Sequence, residues 1–163
     1  MRYHNITKAD MLNGDGIRVV LWVAGCVHGC PKCQNPITWD PDGGIEFDIS
    51  AKQELFEALD KDYISGITFS GGDPLHPNNR AAVLQLIQEI RNTYGNNKTI
   101  WLYTGYTYET IASLVDNCDV VVDGPFIVDL ADTQYHWAGS TNQRVIDVFK
   151  TIQEGRVVIY ADN

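Results

Sequence analysis

The sequence predicts an α/β fold: a partial, open (β/α) barrel with a mainly parallel sheet, in a single domain over residues 1–163. Three observations lead there. Short β-branched, apolar runs alternate with segments of helical periodicity, the pattern of strands joined through helices. Several of those runs are continuously apolar, as in strands buried on both faces. The runs number about five, too few for a complete eight-stranded barrel.

The first run, "IRVVLWVA" at 17–24, is a buried strand, and a cysteine cluster sits on the loop beyond its C-terminal end. Ser50 is expected to open a helix, with Gln53 completing a capping box and Leu55, Phe56 and Leu59 forming its apolar face. "ISGITFS", 64–70, is a second strand ending in "GGDP". Residues 79–94 form a helix in which Val83, Leu84, Ile87, Ile90 and Tyr94 recur at helical spacing, with Gly95 just past its end. "TIWLY", 99–103, is a third strand, followed by "TGYT", in which Thr107 is expected to cap a short helix through Leu114. "DVVVD", 119–123, is a fourth strand, and "GPF" follows it. "QRVIDVFKTIQEG" reads as a helix ending at Gly155, although "RVIDVF" alone fits a strand; "RVVIY", 156–160, is a last strand candidate.

Ligands of open parallel sheets bind beyond the C-terminal ends of the strands. The punctuated stretches lie there: the cysteine loop, "SGGDP", "TGY" and "DGPF". In "GCVHGCPKCQNP", 25–36, three residues separate Cys26 from Cys30 and two separate Cys30 from Cys33. Zinc held by Cys26, His28, Cys30 and Cys33 is one reading. Structural zinc motifs, however, usually draw on two separated pairs, and there is no second C-x-x-C. A [4Fe–4S] cluster explains the count better, because three thiolates leave one iron open to an exogenous ligand. Cys118 precedes an apolar strand and is expected to be a buried thiol rather than a fourth ligand.

The C-x3-C-x2-C spacing resembles the signature of the radical S-adenosylmethionine (SAM) enzymes. "NGDGIRVVLWVAGCVHGCPKCQNPITW", "SGGDPLHPNN", "IWLYTGY", "VVVDGPF" and "GSTNQRVIDV" closely resemble, in order and spacing, the activating components of anaerobic (class III) ribonucleotide reductases. The resemblance implies a radical-SAM barrel with one [4Fe–4S] cluster on Cys26, Cys30 and Cys33, whose open iron is chelated by SAM. It implies SAM contacts from Lys32, Cys33, Gln34, Gly71, Gly72 and Asp73, with Thr104 and Asp123 as further candidates. It departs from the superfamily at Lys32, where many members carry an aromatic residue, and at Pro125, where some relatives have lysine. The implied partner is the large catalytic subunit of the reductase, which receives a glycyl radical; flavodoxin is the usual electron donor in similar systems. Another small radical SAM enzyme, such as a different activase or a deazapurine-forming enzyme, is the alternative, followed by a non-enzymatic zinc or iron–sulfur module.

Composition narrows the partners. Twenty-one acidic against twelve basic residues give a net charge of −9, which opposes sequence-independent nucleic-acid binding. No apolar run is long enough to span a bilayer, and the polar N-terminus lacks a signal peptide's apolar stretch. A cytoplasmic location is therefore expected.

Overall fold

The computed structural model describes residues 1–33 and 36–160. Among the described residues, seven strands form one sheet: β1 (Arg2–Asp10), β2 (Arg18–Val23), β3 (Ile45–Glu46), β4 (Gly66–Gly71), β5 (Thr99–Tyr103), β6 (Val120–Asp123) and β7 (Arg144–Asp147). The helices are α1 (Ile49–Leu59), α2 (Arg80–Tyr94), α3 (Tyr108–Ile111) and α4 (Val148–Glu154). The strand order is β3-β1-β2-β4-β5-β6-β7.

The centre, β2-β4-β5-β6, is parallel. Each parallel step runs through a helix in chain order, α1, α2 or α3, as a parallel connection requires. Both flanks are antiparallel: β1 pairs with β2 and β3, and β7 with β6. The sheet is therefore mixed, with a parallel core, and it ends at β3 and β7 rather than closing into a ring.

Burial on both faces explains the unbroken apolar runs. One face carries Val19, Leu21, Val23, Ile67, Phe69, Ile100, Leu102, Val121 and Ile146 in a single core with Leu55 and Leu59 of α1 and Val83, Ile87 and Ile90 of α2. The other carries Trp101, Val120, Val122 and Val145, packed by Tyr103, Tyr135, Trp137 and Tyr160. Arg18 lies fully buried among the strands. Its five N–H groups are all used: Nε on Thr68 Oγ1, Nη1 on Asp15 O and Thr99 Oγ1, and Nη2 on Ile67 O and Thr99 O. Burial pushes its pKa down to about 10, so the guanidinium stays charged at neutral pH.

Several boundaries differ from expectation. α1 starts at Ile49 and is capped by Asp48, whose carboxylate accepts the Ala51 N–H at 2.8 Å, rather than by Ser50. A charged acceptor at the positive helix end is preferred there. Thr107 takes the N-cap position of α3 but makes no side-chain cap bond, and the helix tightens to a 3-10 turn over Ala112–Leu114. "RVIDVFKTIQEG" divides at Asp147: β7 precedes it, and its carboxylate caps α4 by accepting the Lys150 N–H. "RVVIY" forms only an isolated bridge, Ile146 to Ile159, rather than a strand.

Candidate functional site

The C-terminal ends of β2, β4, β5 and β6 are tied together by backbone hydrogen bonds. Gly72 N–H donates to Val23 O at 2.8 Å and Asp73 N–H to Gly25 O at 2.7 Å. Thr104 N–H donates to Val122 O at 2.9 Å, and Gly124 N–H to Tyr106 O at 3.0 Å. These contacts bring the four punctuated stretches to one edge of the sheet. There they border a cavity of about 590 Å³, lined by Cys26, Cys30, Cys33, Gly71, Gly72, Asp73 and Thr104 among others.

The three clustered cysteines are half-buried, whereas Cys118 is buried. Burial pushes the Cys26 thiol above its ordinary range, partly offset by hydrogen bonds to its sulfur from the backbone N–H groups of His28 and Gly29. Such donors stabilise a thiolate and tune a metal centre. Burial also pushes the Cys118 thiol up to about 12, which makes it a poor ligand. Among the described residues, no three His, Cys, Asp or Glu side chains converge on one point as a single ion requires. A cubane takes one thiolate per iron, so its ligands need not converge. Three thiolates on one loop are a donor set that suits such a cluster.

Gly71 and Gly72 are required by close approach. Gly71 has φ +107°, and a Cβ there would stand 2.5 Å from Val23 N; a Cβ on Gly72 would stand 2.4 Å from Gly25 O. Their bare backbone lets the turn after β4 lie against the start of the cysteine loop. Asp73 is buried and accepts from Leu75 N–H at 2.9 Å, Gly105 N–H at 2.9 Å and the Thr104 hydroxyl at 2.9 Å. Lys32 is exposed, has φ +57° and does not line the cavity. Gln34 lies outside the described residues. Asp123 is buried and is also absent from the lining. Its carboxylate accepts Tyr108 N–H at 2.8 Å and a bidentate pair from Arg144, Nε at 3.2 Å and Nη2 at 2.6 Å.

Sequence reasoning missed part of the lining. It comes from Met11 and Leu12 after β1 and from residues 133–139, including Tyr135 and Trp137. Gln143 holds that second segment: Oε1 accepts Gly139 N–H at 2.9 Å and Ser140 N–H at 3.1 Å, while Nε2 donates to Gly124 O at 3.0 Å. The signal available was "GSTNQ", a polar turn motif in a region otherwise without pattern.

Comparison with known proteins shows the family. Residues 12–146 match the family model described as a 4Fe-4S single cluster domain. The chain is 42% identical over 147 residues to the anaerobic ribonucleoside-triphosphate reductase-activating protein of Enterobacteria phage T4, covering 89% of this chain and 93% of that one. It is 41% identical over 151 residues to the protein of the same name from Escherichia coli K12, covering 89% and 97%. The Haemophilus influenzae protein of that name is 36% identical over 156 residues, covering 92% and 99%. With the cysteine loop, the glycine turn and the cavity inside the matched span, the chain belongs to the family of anaerobic ribonucleoside-triphosphate reductase-activating proteins, built on a 4Fe-4S single cluster domain.

Proposed function

We propose that this chain activates an anaerobic ribonucleotide reductase by generating a glycyl radical on its large catalytic subunit, using SAM and a [4Fe–4S] cluster held by Cys26, Cys30 and Cys33. The observation that carries this is the meeting of three half-buried cysteines and the Gly71–Asp73 turn on one cavity. Cys26, Cys30 and Cys33 would hold the cluster, which, once reduced by an external electron donor, would supply the one electron for cleavage of a SAM C–S bond to methionine and a 5′-deoxyadenosyl radical able to take a hydrogen atom from a glycine Cα.

The chain's own residues bind and orient. Gly71 and Gly72 leave backbone open for the amino end of SAM, beside Cys33 on the facing loop. Lys32 and Gln34, on either side of Cys33 in the sequence, are candidate SAM contacts, with Thr104 at the cavity wall. Asp123 acts at a remove, by fixing Arg144 and the start of α3. Leu12, 82% exposed, and Met11, 66% exposed, line the same cavity and offer an apolar surface where a partner's backbone would enter.

The open sheet is read as a partial radical-SAM barrel in a single domain over 1–163, cytoplasmic, with flavodoxin as the electron donor. Among the described residues no helix is long and apolar enough to cross a membrane. The test is anaerobic: reconstituted protein, SAM, a reductant and the cognate reductase should yield a glycyl radical signal by electron paramagnetic resonance. Cys26→Ala, Cys30→Ala and Cys33→Ala should each abolish SAM cleavage while Cys118→Ala keeps it. A silent reductase beside an intact reduced cluster would refute the proposal.

A further inference from the structure

Asp73 collects hydrogen bonds from three segments. Leu75 N–H comes from its own turn, Thr104 and Gly105 from the end of β5, and His28 from the cysteine loop, with Nε2 at 2.6 Å from Oδ2. A carboxylate offers about four acceptor sites. Here they are occupied within the protein, and the residue is only 1% exposed. With the Leu75 and Gly105 N–H groups as fixed donors to this carboxylate, the His28 ring is assigned the tautomer that donates from Nε2.

The His28 ring is fixed on its other sides. Gly105 admits it: a Cβ there would stand 2.4 Å from the ring's Cδ2. Tyr106 meets it edge-on at 4.6 Å between centroids, and the Arg80 guanidinium lies 5.4 Å from the Tyr106 ring. His28 is midway between Cys26 and Cys30, two residues from each along the loop. Holding the ring therefore holds the backbone that presents Cys26.

We infer that His28 and Asp73 form a clasp that locks the cysteine loop against the Gly71–Asp73 turn, so that both are positioning residues rather than ligands of cluster or SAM. This rests on the proposed function, in which both loops must meet one cofactor. His28 then does not donate to the cluster, and the Asp73 charge acts on the loop rather than on SAM directly.

The test uses cluster-loaded protein under anaerobic conditions. His28→Ala should raise amide hydrogen exchange in residues 26–33 and at Gly105 about tenfold. It should also raise about tenfold the SAM concentration needed to shift the reduced-cluster paramagnetic signal. Tenfold corresponds to about 1.4 kcal/mol, within reach of one buried hydrogen bond. His28→Gln, whose amide nitrogen can replace Nε2, should recover most of both effects. His28→Ala added to Asp73→Asn should cost little beyond Asp73→Asn alone. Should His28→Ala prevent cluster loading, Thr104→Val removes a donor to the same carboxylate from outside the loop and should loosen residues 26–33 likewise. Unchanged exchange and SAM response in His28→Ala, or full additivity with Asp73→Asn, would overturn the clasp. Wild-type protein that takes up no iron would instead overturn the functional reading, and the exchange measurement would still decide the clasp.

Discussion

Gly72→Ala isolates the contact between the two loops that build the site. Its added Cβ would stand 2.4 Å from Gly25 O, 2.7 Å from Thr38 O and 2.8 Å from Gly25 C, all backbone atoms. Ordinary contact begins near 3.4 Å, so the turn and the cysteine loop must part by about 1 Å. Overpacking of this kind costs about 1–3 kcal/mol of stability. A 1 Å misplacement of reacting groups costs about 100-fold in rate, or about 2.7 kcal/mol of barrier. The assay is 5′-deoxyadenosine formation by anaerobically reconstituted protein, with iron content and thermal midpoint measured alongside. Gly95→Ala is the control: it has φ +57° at the end of α2 and nothing within 4 Å of its Cβ. It should lower stability by about 1 kcal/mol and leave the rate alone. Gly72→Ala with full iron and a rate within twofold of wild type would refute the reasoning, because the close approach would then not set the cofactor geometry.

Other outcomes follow from single residues. In metal-free protein at pH 8, Cys118 should react with an alkylating reagent about 1,000-fold more slowly than an exposed thiol, since its pKa is raised from 9.0 to about 12; comparable rates for all four thiols would contradict its burial. The same shift should contribute stability that is full below pH 9 and is lost as pH rises towards 12, because only the unfolded thiol ionises in that window; Cys118→Ala should flatten that slope in denaturant titrations. Arg18→Lys keeps a buried charge but cannot reach five acceptors, and should cost about 3 kcal/mol in chemical denaturation; a loss under 1 kcal/mol would mean the network is not needed. Leu12→Asp should cut glycyl radical formation on the reductase at least about tenfold, a loss of about 1.4 kcal/mol of association, while SAM cleavage without the reductase stays unchanged; equal activation would remove the loop after β1 from the partner's path.

The parallel core was legible because burial on both faces writes itself as unbroken apolar runs, and β2, β4, β5 and β6 all fall within a few residues of expectation. β1 was not legible. Its pairing with β2 shifts register between Tyr3 and Asn5 and again between Thr7 and Asp10, so its buried Tyr3 and Ile6 are three apart and no alternation survives. β3 has two residues, both exposed, and is specified by its partner rather than by its own sequence. At the C-terminus, Asp147 ends a strand and caps a helix at once, a division that neither period alone reveals.

The site divides along the same line. Thiol spacing and a glycine turn after a strand are local signals, and the structure brings both to one cavity. What the polar side chains do there depends on partners far away in sequence. Asp123 reads as a strand-end acid near a ligand, yet Arg144, 21 residues on, takes its carboxylate with two hydrogen bonds and shares itself with Glu109. Asp73 reads as a charge awaiting a cation, yet His28, 45 residues earlier, and Thr104, 31 residues later, occupy it. Both acids lie buried, where an ionised carboxylate is tolerated only with donors around it. Their hydrogen bonds therefore come before any ligand in the energetics. The carboxylates at the ends of β4 and β6 first hold the loops in register, and Gly71 and Gly72 are what those loops leave bordering the cavity.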